Sequence, residues 1–435
     1  MMTSSNVLDP IRQVFIFGSL IISTLSNWIY QFFFGTKKVA KVEGFVASGF
    51  EGVRDAFRKN LESGWEPDGA ALAVYHKGRL VVDIWGGYCD KESRRFWKQD
   101  SLAVIFSATK AVSALCVGLL VDRGLLKYDD KLISFWPEFG KNGKEGITVQ
   151  WVLSHMAGLA YTDVPITVEA AMDWKKMAEI FENETPKWEP GSAVGYHAIN
   201  YGWLVDQIIR RVDPKKRSLG QFFREELQEP LNLDLHIGLP FSEAHRVARI
   251  RLPTFRQRIS EYFHNPSAVN YGRFLCDFAS DGILSKVEKN PDWLRFVKEM
   301  TLNNPEYYFL EQGALMGIGT ARSLAKLFSI TIIEKKIFKN SKTLEKFLTP
   351  FTSGEDIVTG AKVSRGQGLM FSDFFLPSGI KHRMIGHAGY GGQNVKFDPV
   401  HGLSFSYVSN GLKVGFGDSA RTFIKLRDAI YESQL

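Results

Sequence analysis

A serine followed three residues later by a lysine occurs at three places in the chain, and this spacing can pair a nucleophile with a base. The pairs are Ser107–Lys110, Ser323–Lys326 and Ser378–Lys381. On a helix, residues three apart lie on the same face, so the lysine amine is close to the serine hydroxyl. Burial lowers the pKa of a lysine, which can then accept the serine proton. The chemistry would be acyl transfer through a covalent serine ester.

The surrounding sequence favours Ser107 over the other two serines. Ser378 lies between a proline and a glycine, which predicts a turn. Ser323 lies in an amphipathic helical pattern, where a surface serine is the simpler interpretation. Ser107 precedes the apolar helical run 111–121, so its hydroxyl would meet free backbone N–H groups at the first turn of a buried helix. A structural N-cap serine gives the same local pattern.

Two further segments supply groups that an acyl-transfer site needs. Tyr196 lies between a Trp-Glu-Pro-Gly turn and a helical run, which predicts a phenol at the start of a helix. The glycine-rich segment 386–392 joins two short predicted strands. Glycines there let the backbone approach a ligand closely, and one N–H can form half of an oxyanion hole. Each feature alone is more often structural.

Taken in this order, the three motifs resemble those of the serine β-lactamase and penicillin-recognising family, most closely its class C β-lactamase-like esterases. The family's Ser-x-x-Lys, Tyr-x-Asn and His-x-Gly motifs here run over 107–110, 196–198 and 387–389. Similar segments are spread over nearly all of residues 42–435. The resemblance implies an α/β fold of the β-lactamase/transpeptidase type. Its antiparallel sheet is built from both termini and flanked by helices, with an inserted, mainly helical lobe.

The resemblance also implies a role for each matching residue. Ser107 would attack the substrate carbonyl and become acylated. Lys110 and Tyr196 would take its proton and activate the deacylating water, and the base could be either of them. The backbone N–H groups of Ser107 and Tyr390 would form the oxyanion hole. His387 and Gly389 would line the substrate-binding site.

Two positions depart from the family pattern. Ala198 stands where the family has an Asn that orients the substrate amide. His387 takes the place of a Lys, and at pH 7 an ordinary histidine is mostly neutral. Both changes disfavour β-lactams and peptides that carry a carboxylate, and they favour neutral esters or amides.

The sequence therefore predicts a serine hydrolase that cleaves a carboxylic ester or amide through an acyl-Ser107 intermediate, esterase-like rather than a true β-lactamase. The alternative is a catalytically weak or inactive scaffold of the same fold that acts in membrane or mitochondrial organisation, since some eukaryotic relatives have such links. The partner would be a small-molecule ester or amide. No cofactor is predicted.

Composition excludes several other classes of function. Of 435 residues, 45% are hydrophobic and 23% charged, as in an ordinary globular chain. The net charge of +7 is scattered, without the basic patches of a nucleic-acid-binding protein. Three cysteines form no CxxC pair, and the histidines show no metallohydrolase spacing, so no metal site is predicted.

Hydrophobic periodicity places the elements around these motifs. It predicts a helix within 49–61, a hairpin from 71–75 and 79–85, and C-terminal strands within 384–387, 394–397 and 403–409. Asp418 is expected to cap the final helix. Residues 42–435 are interpreted as one domain, with an α/β lobe of about 42–105 and 330–435 and a helical lobe of about 106–329.

The first 41 residues are interpreted as a membrane anchor or targeting segment. Residues 14–34 are apolar and uncharged, and 21 helical residues span about 30 Å. A single-pass helix is predicted there, with the lysines that follow keeping the domain on the cytosolic side. A signal peptide, a mitochondrial presequence and a buried helix are the alternatives, because six polar residues interrupt the run.

Overall fold

The computed structural model describes residues 23, 24, 26, 41–266, 269, 271–414 and 417–433. Its strands are β1 (Val42–Val46), β2 (Gly69–His76), β3 (Arg79–Asp90), β4 (Arg95–Phe96), β5 (Ala103–Val104), β6 (Leu235–Ile237), β7 (Gly317–Gly319), β8 (Thr352–Glu355), β9 (Lys362–Arg365), β10 (Met370–Phe375), β11 (Lys381–Ala388), β12 (Asn394–Asp398) and β13 (Leu403–Ser409). Its α-helices are α1 (Glu51–Glu62), α2 (Thr109–Asp122), α3 (Val149–Leu153), α4 (Val168–Met172), α5 (Trp174–Asn183), α6 (Asn200–Val212), α7 (Leu219–Phe223), α8 (Phe255–His264), α9 (Tyr271–Ala279), α10 (Ile283–Lys289), α11 (Ala321–Phe328), α12 (Ser341–Phe347) and α13 (Arg421–Tyr431).

An antiparallel sheet built from both ends of the chain organises the fold. Among the described residues it has ten strands in the order β1-β3-β2-β13-β12-β11-β10-β9-β8, and β4 pairs with β3. The C-terminal strand β13 lies beside β2 of the N-terminal hairpin, with Phe405 opposite Val74. A smaller sheet has the order β5-β7-β6. The predicted fold class is confirmed, as are the first helix, the hairpin and the C-terminal strands.

Strand alternation gives each face of the sheet its own hydrophobic core. On β2, Leu72 and Val74 face the core under the terminal helices α1 and α13. Ala73 and Tyr75 face the opposite core, which includes α2. Helix α2 is apolar on every side, and its residues Thr109–Leu120 are all buried. This position fixes the segment that carries Ser107 and Lys110 at the centre of the molecule.

The predicted cap of the final helix is wrong. Helix α13 begins at Arg421 with Ala420 at its N-cap, and no side chain caps it. The Asp418 carboxylate instead accepts hydrogen bonds from Lys396 Nζ at 2.8 Å and from Ser372 Oγ at 2.7 Å. Because Lys396 is fully buried, its charge binds Asp418 to the sheet rather than leaving it for the helix.

The prediction of a single-pass membrane helix, and with it the membrane location and membrane partner, is also wrong. No helix among the described residues is long and apolar enough to cross a bilayer. The longest α-helix of this part of the chain, α2, has 14 residues, about 21 Å against the roughly 30 Å of a hydrocarbon core. Segment 14–34, on which the prediction depended, lies outside the described residues except for Ser23, Thr24 and Ser26. Its six polar residues would each need a partner in hydrocarbon.

Candidate active site

Ser107 lies in a tight turn that is held under strain. It occupies the short 3-10 turn Phe106–Ala108, directly before α2. Phe106 has a φ of +47°, a conformation that a bulky residue adopts only at a cost of about 1–3 kcal/mol. The Phe106 carbonyl accepts a hydrogen bond from Thr109 Oγ1 at 2.6 Å, and the Ile105 N–H donates to the Gly317 carbonyl at 2.8 Å. These contacts with α2 and β7 keep the serine in its turn.

The Lys110 amine lies one turn along the helix and is fully buried. Its Nζ lies 3.3 Å from Ser107 Oγ and donates to the backbone carbonyls of Ala198 at 2.8 Å and Ala314 at 3.0 Å. Burial, helped by the positive charge of Arg365, holds the pKa of this amine well below its usual value. In the neutral amine, the two carbonyls take both N–H groups, so the lone pair is directed at Ser107.

Tyr196 completes the group around the serine, as its motif predicts. Its phenol interacts with the Ser107 side chain, and its ring centroid lies 4.8 Å from Lys110 Nζ. Burial raises the pKa of Tyr196 to about 12. The phenol therefore keeps its proton near neutral pH.

A buried ion pair that the sequence did not reveal holds Tyr196. Asp356 follows β8 in the loop of the β8–β9 hairpin and Arg365 ends β9; both are buried, with Arg365 Nη2 2.8 Å from Asp356 Oδ2. Asp356 Oδ1 accepts the Tyr196 backbone N–H at 3.2 Å. The Arg365 guanidinium carbon lies 5.1 Å from the Tyr196 ring centroid. No motif marks these two residues, because nothing local to 356–365 indicates that the hairpin ends at the site.

The glycine-rich segment after β11 lies against the serine turn. The Gly389 N–H donates to the Gln393 carbonyl at 2.7 Å. A Cβ on Gly389 would lie 2.6 Å from the Ile105 carbonyl oxygen, closer than any side chain allows. The next residue, Tyr390, packs its ring edge-on against Phe106 with centroids 5.8 Å apart. The absence of a side chain at 389 thus lets the strand touch the segment that carries the nucleophile.

His387 is buried beside Tyr196 and is neutral. The two rings are stacked with centroids 6.4 Å apart. Burial, the largest cause, holds the pKa of His387 well below its usual value. Its Nδ1 lies 2.7 Å from the Ala388 carbonyl oxygen; because a carbonyl can only accept, Nδ1 carries the proton. Nε2 is therefore an acceptor.

Two other buried histidines hold the backbone around Tyr196 through hydrogen bonds. His197 Nδ1 donates to the Gly195 carbonyl at 2.6 Å, and its Nε2 accepts the Leu159 N–H at 2.9 Å. Burial lowers the pKa of His197 to about 3. His155 accepts the His197 N–H at 3.1 Å and packs on the Tyr196 ring at 4.8 Å between centroids. Both imidazoles are neutral hydrogen-bonding groups that fix the path of the chain around Tyr196.

The other two serine–lysine pairs are not part of this site. Ser323 is buried rather than on the surface, and its hydroxyl accepts the Asp234 N–H at 2.9 Å. Lys326 Nζ donates to the Leu231 carbonyl at 2.8 Å. Ser378 lies in the exposed turn between β10 and β11. The structure brings only the first pair together with Tyr196, His387 and Gly389.

Comparison with known proteins gives the same family as the motifs. A family model described as Beta-lactamase matches residues 55–429. The chain is 33% identical over 361 residues to the esterase/beta-lactamase LipL of Mycobacterium tuberculosis (strain ATCC 25618 / H37Rv), covering 79% of this chain and 77% of that protein. This chain belongs to the beta-lactamase family.

Solved structures of related proteins have the same fold. A family VIII carboxylesterase superimposes with a TM-score of 0.76 at 28% identity, covering 90% of this chain and 99% of its own. A penicillin-binding protein homolog from Caulobacter crescentus gives a TM-score of 0.73 at 30% identity, with 90% and 99% covered. This member of the beta-lactamase family is an esterase-like serine hydrolase. The alternative of an inactive scaffold has no support in these comparisons.

The contact at Gly389 gives a test of the geometry. We expect Gly389→Ala to lower kcat/KM by about 100-fold, because the methyl group must push β11 away from the serine turn and misplace the reacting groups. Gly52→Ala is the matched control, since nothing lies within 4 Å of a Cβ there and alanine favours a helix by up to about 1 kcal/mol. Ester hydrolysis and thermal unfolding are measured for both. Full activity in Gly389→Ala would show that the close approach does not matter.

Proposed function

We propose that this protein hydrolyses uncharged carboxylic esters through an acyl-Ser107 intermediate, with Lys110 as the general base. The observation that carries the proposal is the position of the Lys110 amine. Two backbone carbonyls hold it 3.3 Å from the Ser107 hydroxyl, in a site where burial lowers its pKa and favours the neutral form. A neutral amine with its lone pair on a hydroxyl can accept a proton as that hydroxyl attacks.

The difference in pKa between Lys110 and Tyr196 supports this choice of base. As a base, Tyr196 would have to be a phenolate, and its raised pKa disfavours that form. The lowered pKa of Lys110 makes its basic form available near neutral pH. Tyr196 is then the acid: its phenol protonates the departing alkoxide, and the phenolate that results recovers a proton from the Lys110 ammonium, whose Nζ lies 4.8 Å from the Tyr196 ring centroid. The same groups, used in reverse, take a proton from water in deacylation.

The oxyanion hole is proposed at the backbone N–H groups of Ser107 and Tyr390. The turn that carries Ser107 precedes α2, so its N–H groups lie at the positive end of the helix dipole. The segment that carries Tyr390 touches this turn, both at Gly389 and through the Phe106 ring. Two N–H groups from touching segments can converge on one oxygen, which is the arrangement that stabilises a tetrahedral intermediate.

Three features support an uncharged substrate. His387, proposed to line the site with Gly389, is neutral and presents Nε2 as an acceptor, so it repels a carboxylate oxygen instead of binding it. Ala198 has no side-chain amide for a β-lactam or peptide, although its carbonyl still holds Lys110. Tyr196 and Ala198 also border an apolar cluster that includes Trp188 and Val287. An apolar ester group would be buried there with favourable free energy.

The first experiment tests the nucleophile and the base. A fluorophosphonate probe should label the wild-type protein and fail to label Ser107→Ala. Lys110→Ala should remain folded and lose about 10²- to 10⁴-fold in kcat, the usual effect of removing a general base. Ser323→Ala and Lys326→Ala, which have the same spacing, should keep their activity. Undiminished labelling of Ser107→Ala, or normal turnover by Lys110→Ala, would contradict the assignment.

The second experiment tests the substrate class. We expect kcat/KM for p-nitrophenyl butyrate to exceed that for nitrocefin by about 100-fold, because loss of two interactions of about 1.4 kcal/mol each has that effect. The comparison is made near neutral pH with Ser107→Ala as the blank. Equal values would mean that Ala198 and the neutral His387 do not set the preference.

The third experiment tests Arg365 as a positioning residue. Removing its charge, in Arg365→Met combined with Asp356→Asn to avoid an unpaired buried carboxylate, takes a cation from beside Lys110 and raises the pKa of that amine. Because the base must be neutral, the acid limb of the kcat/KM profile should move to higher pH. Arg365→Lys should restore it towards the wild-type position.

The matched control is the part-buried pair Arg322–Asp83, in which Arg322 Nη1 lies 2.9 Å from Asp83 Oδ2. Arg322→Met with Asp83→Asn removes an ion pair between α11 and β3, away from Lys110, so the acid limb should not move. If the acid limb of the kcat/KM profile does not move in the Arg365 variant, the charge of Arg365 does not affect the pKa of Lys110.

A further inference from the structure

A second cluster of chemically active side chains lies on the other face of the sheet. His382 is near the start of β11, Asp398 ends β12, and His401 lies in the hairpin that leads to β13. His382 and His387 are five residues apart on one strand, so alternation directs them to opposite faces. His387 faces Tyr196, whereas the His382 ring contacts Tyr431 of the terminal helix α13 at 4.7 Å between centroids. The cluster is therefore separate from the serine site.

The donor atoms of the cluster are close enough to share one ion. One ligand atom from each of His382, Asp398 and His401 lies within 4.8 Å of the other two. Around a tetrahedral zinc ion such atoms are about 3.4 Å apart, given bonds of about 2.0–2.1 Å. A rotation of the His401 imidazole, whose side chain is 33% exposed, would bring the three atoms closer together.

The carboxylate of the cluster is already oriented. Asp398 is buried, and its Oδ1 accepts the N–H groups of Val400 at 2.9 Å and His401 at 3.1 Å. Its Oδ2 accepts the Tyr431 hydroxyl at 2.9 Å and His401 Nδ1–H at 2.7 Å. Hydrogen bonds of this kind, which fix the oxygens of a ligating carboxylate, are the usual support of a metal site.

One nitrogen of the cluster lacks a partner. His382 Nδ1 is buried and makes no hydrogen bond with any residue that the structure describes. A buried polar atom without a partner costs about 1–3 kcal/mol. Packing alone does not explain a histidine here, because the apolar contacts of its ring with Phe374 and Tyr431 would suit a phenylalanine equally well.

We propose that His382, Asp398 and His401 bind a divalent transition-metal ion, with Zn²⁺ as the ion of choice. Two imidazoles and one carboxylate are ligands that suit zinc and its neighbours rather than magnesium or calcium. On binding, the ion takes the place of the proton between His401 Nδ1 and Asp398 Oδ2; Nδ1 loses this proton while Nε2 takes one from solvent, so the imidazole stays neutral and no net proton is released. The fourth position would hold water.

The ion would be structural, since it joins β11 to the β12–β13 hairpin beneath the end of α13. It takes no part in hydrolysis, because it lies on the other face from Ser107. The residues are 16 and three positions apart along the chain, a spacing that matches no metal motif. Only the pairing of β11 with β12 brings them together.

The test measures metal binding by the full-length protein after removal of any polyhistidine tag. Equilibrium dialysis against Zn²⁺ should give one ion per chain. Binding of Co²⁺ should give the visible absorption of a tetrahedral site. His382→Ala and His401→Ala should each weaken binding by at least about 10- to 100-fold, and Tyr431→Phe, which keeps all three ligands, should weaken it by about 10-fold.

His236→Ala is the matched control, because His236 Nε2 also pairs with an aspartate, Asp234, at 3.2 Å, but without a second imidazole. Its binding should equal that of the wild type, and Zn²⁺ should raise the melting temperature of both. Ester hydrolysis should be unaffected by chelators. The proposal is overturned if the wild type binds no ion at about 100 µM Zn²⁺, a concentration well above the dissociation constant expected of such a site. It is also overturned if Co²⁺ gives no tetrahedral spectrum, or if the two histidine variants bind as well as the control.

Discussion

The active site depends on one buried amine. Lys110 is fully buried, and because burial of an ammonium without a counter-ion is unfavourable, the pKa of this amine lies well below its usual value. Two backbone carbonyls, from Ala198 and Ala314, then fix the amine against Ser107. These carbonyls precede α6 and β7 respectively, so the amine is held by three separate parts of the chain. The hydrophobic core thereby lowers the pKa of a side chain that would be a cation in water.

The rest of the architecture serves the group around this amine. The C-terminal end of β11, in the large sheet, lies against the serine turn, and the absence of a side chain at Gly389 permits the contact. At the far end of the same sheet, the β8–β9 hairpin contributes the Asp356–Arg365 pair, which holds Tyr196 by its backbone and faces its ring. A positive charge that is buried close to Lys110 also favours the neutral amine. The pair therefore affects both the position of Tyr196 and the pKa of Lys110.

Burial also decides how the family pattern is modified here. A histidine in place of lysine could still have been a cation, but His387 is enclosed and donates its one proton to the Ala388 carbonyl. It faces the site as an acceptor. The alanine at 198 removes a side-chain amide and leaves the backbone carbonyl, so support of Lys110 is retained while polar recognition of the substrate is lost. Under the proposed function, these two positions would account for an esterase-like enzyme that keeps the serine, lysine and tyrosine of the family.

The amino-acid sequence by itself determined the local features: the serine–lysine spacing on an apolar helix, the tyrosine before α6, the glycine-rich turn after β11, and the strands at both ends of the chain. Each depends on interactions between near neighbours, which periodicity and motif spacing report directly. Prediction from the sequence failed where the interacting residues are far apart along the chain. Asp418 was predicted to cap a helix but instead binds the buried Lys396. An apolar run suggested a membrane helix that the described structure does not contain. Asp356 and Arg365 carried no motif at all. Only the tertiary structure decided which of three serine–lysine pairs lies beside a tyrosine, which histidines are buried and neutral, and which charged groups form ion pairs. The reason is that pKa values and ion pairs depend on residues that are distant in the sequence and that the fold brings into contact.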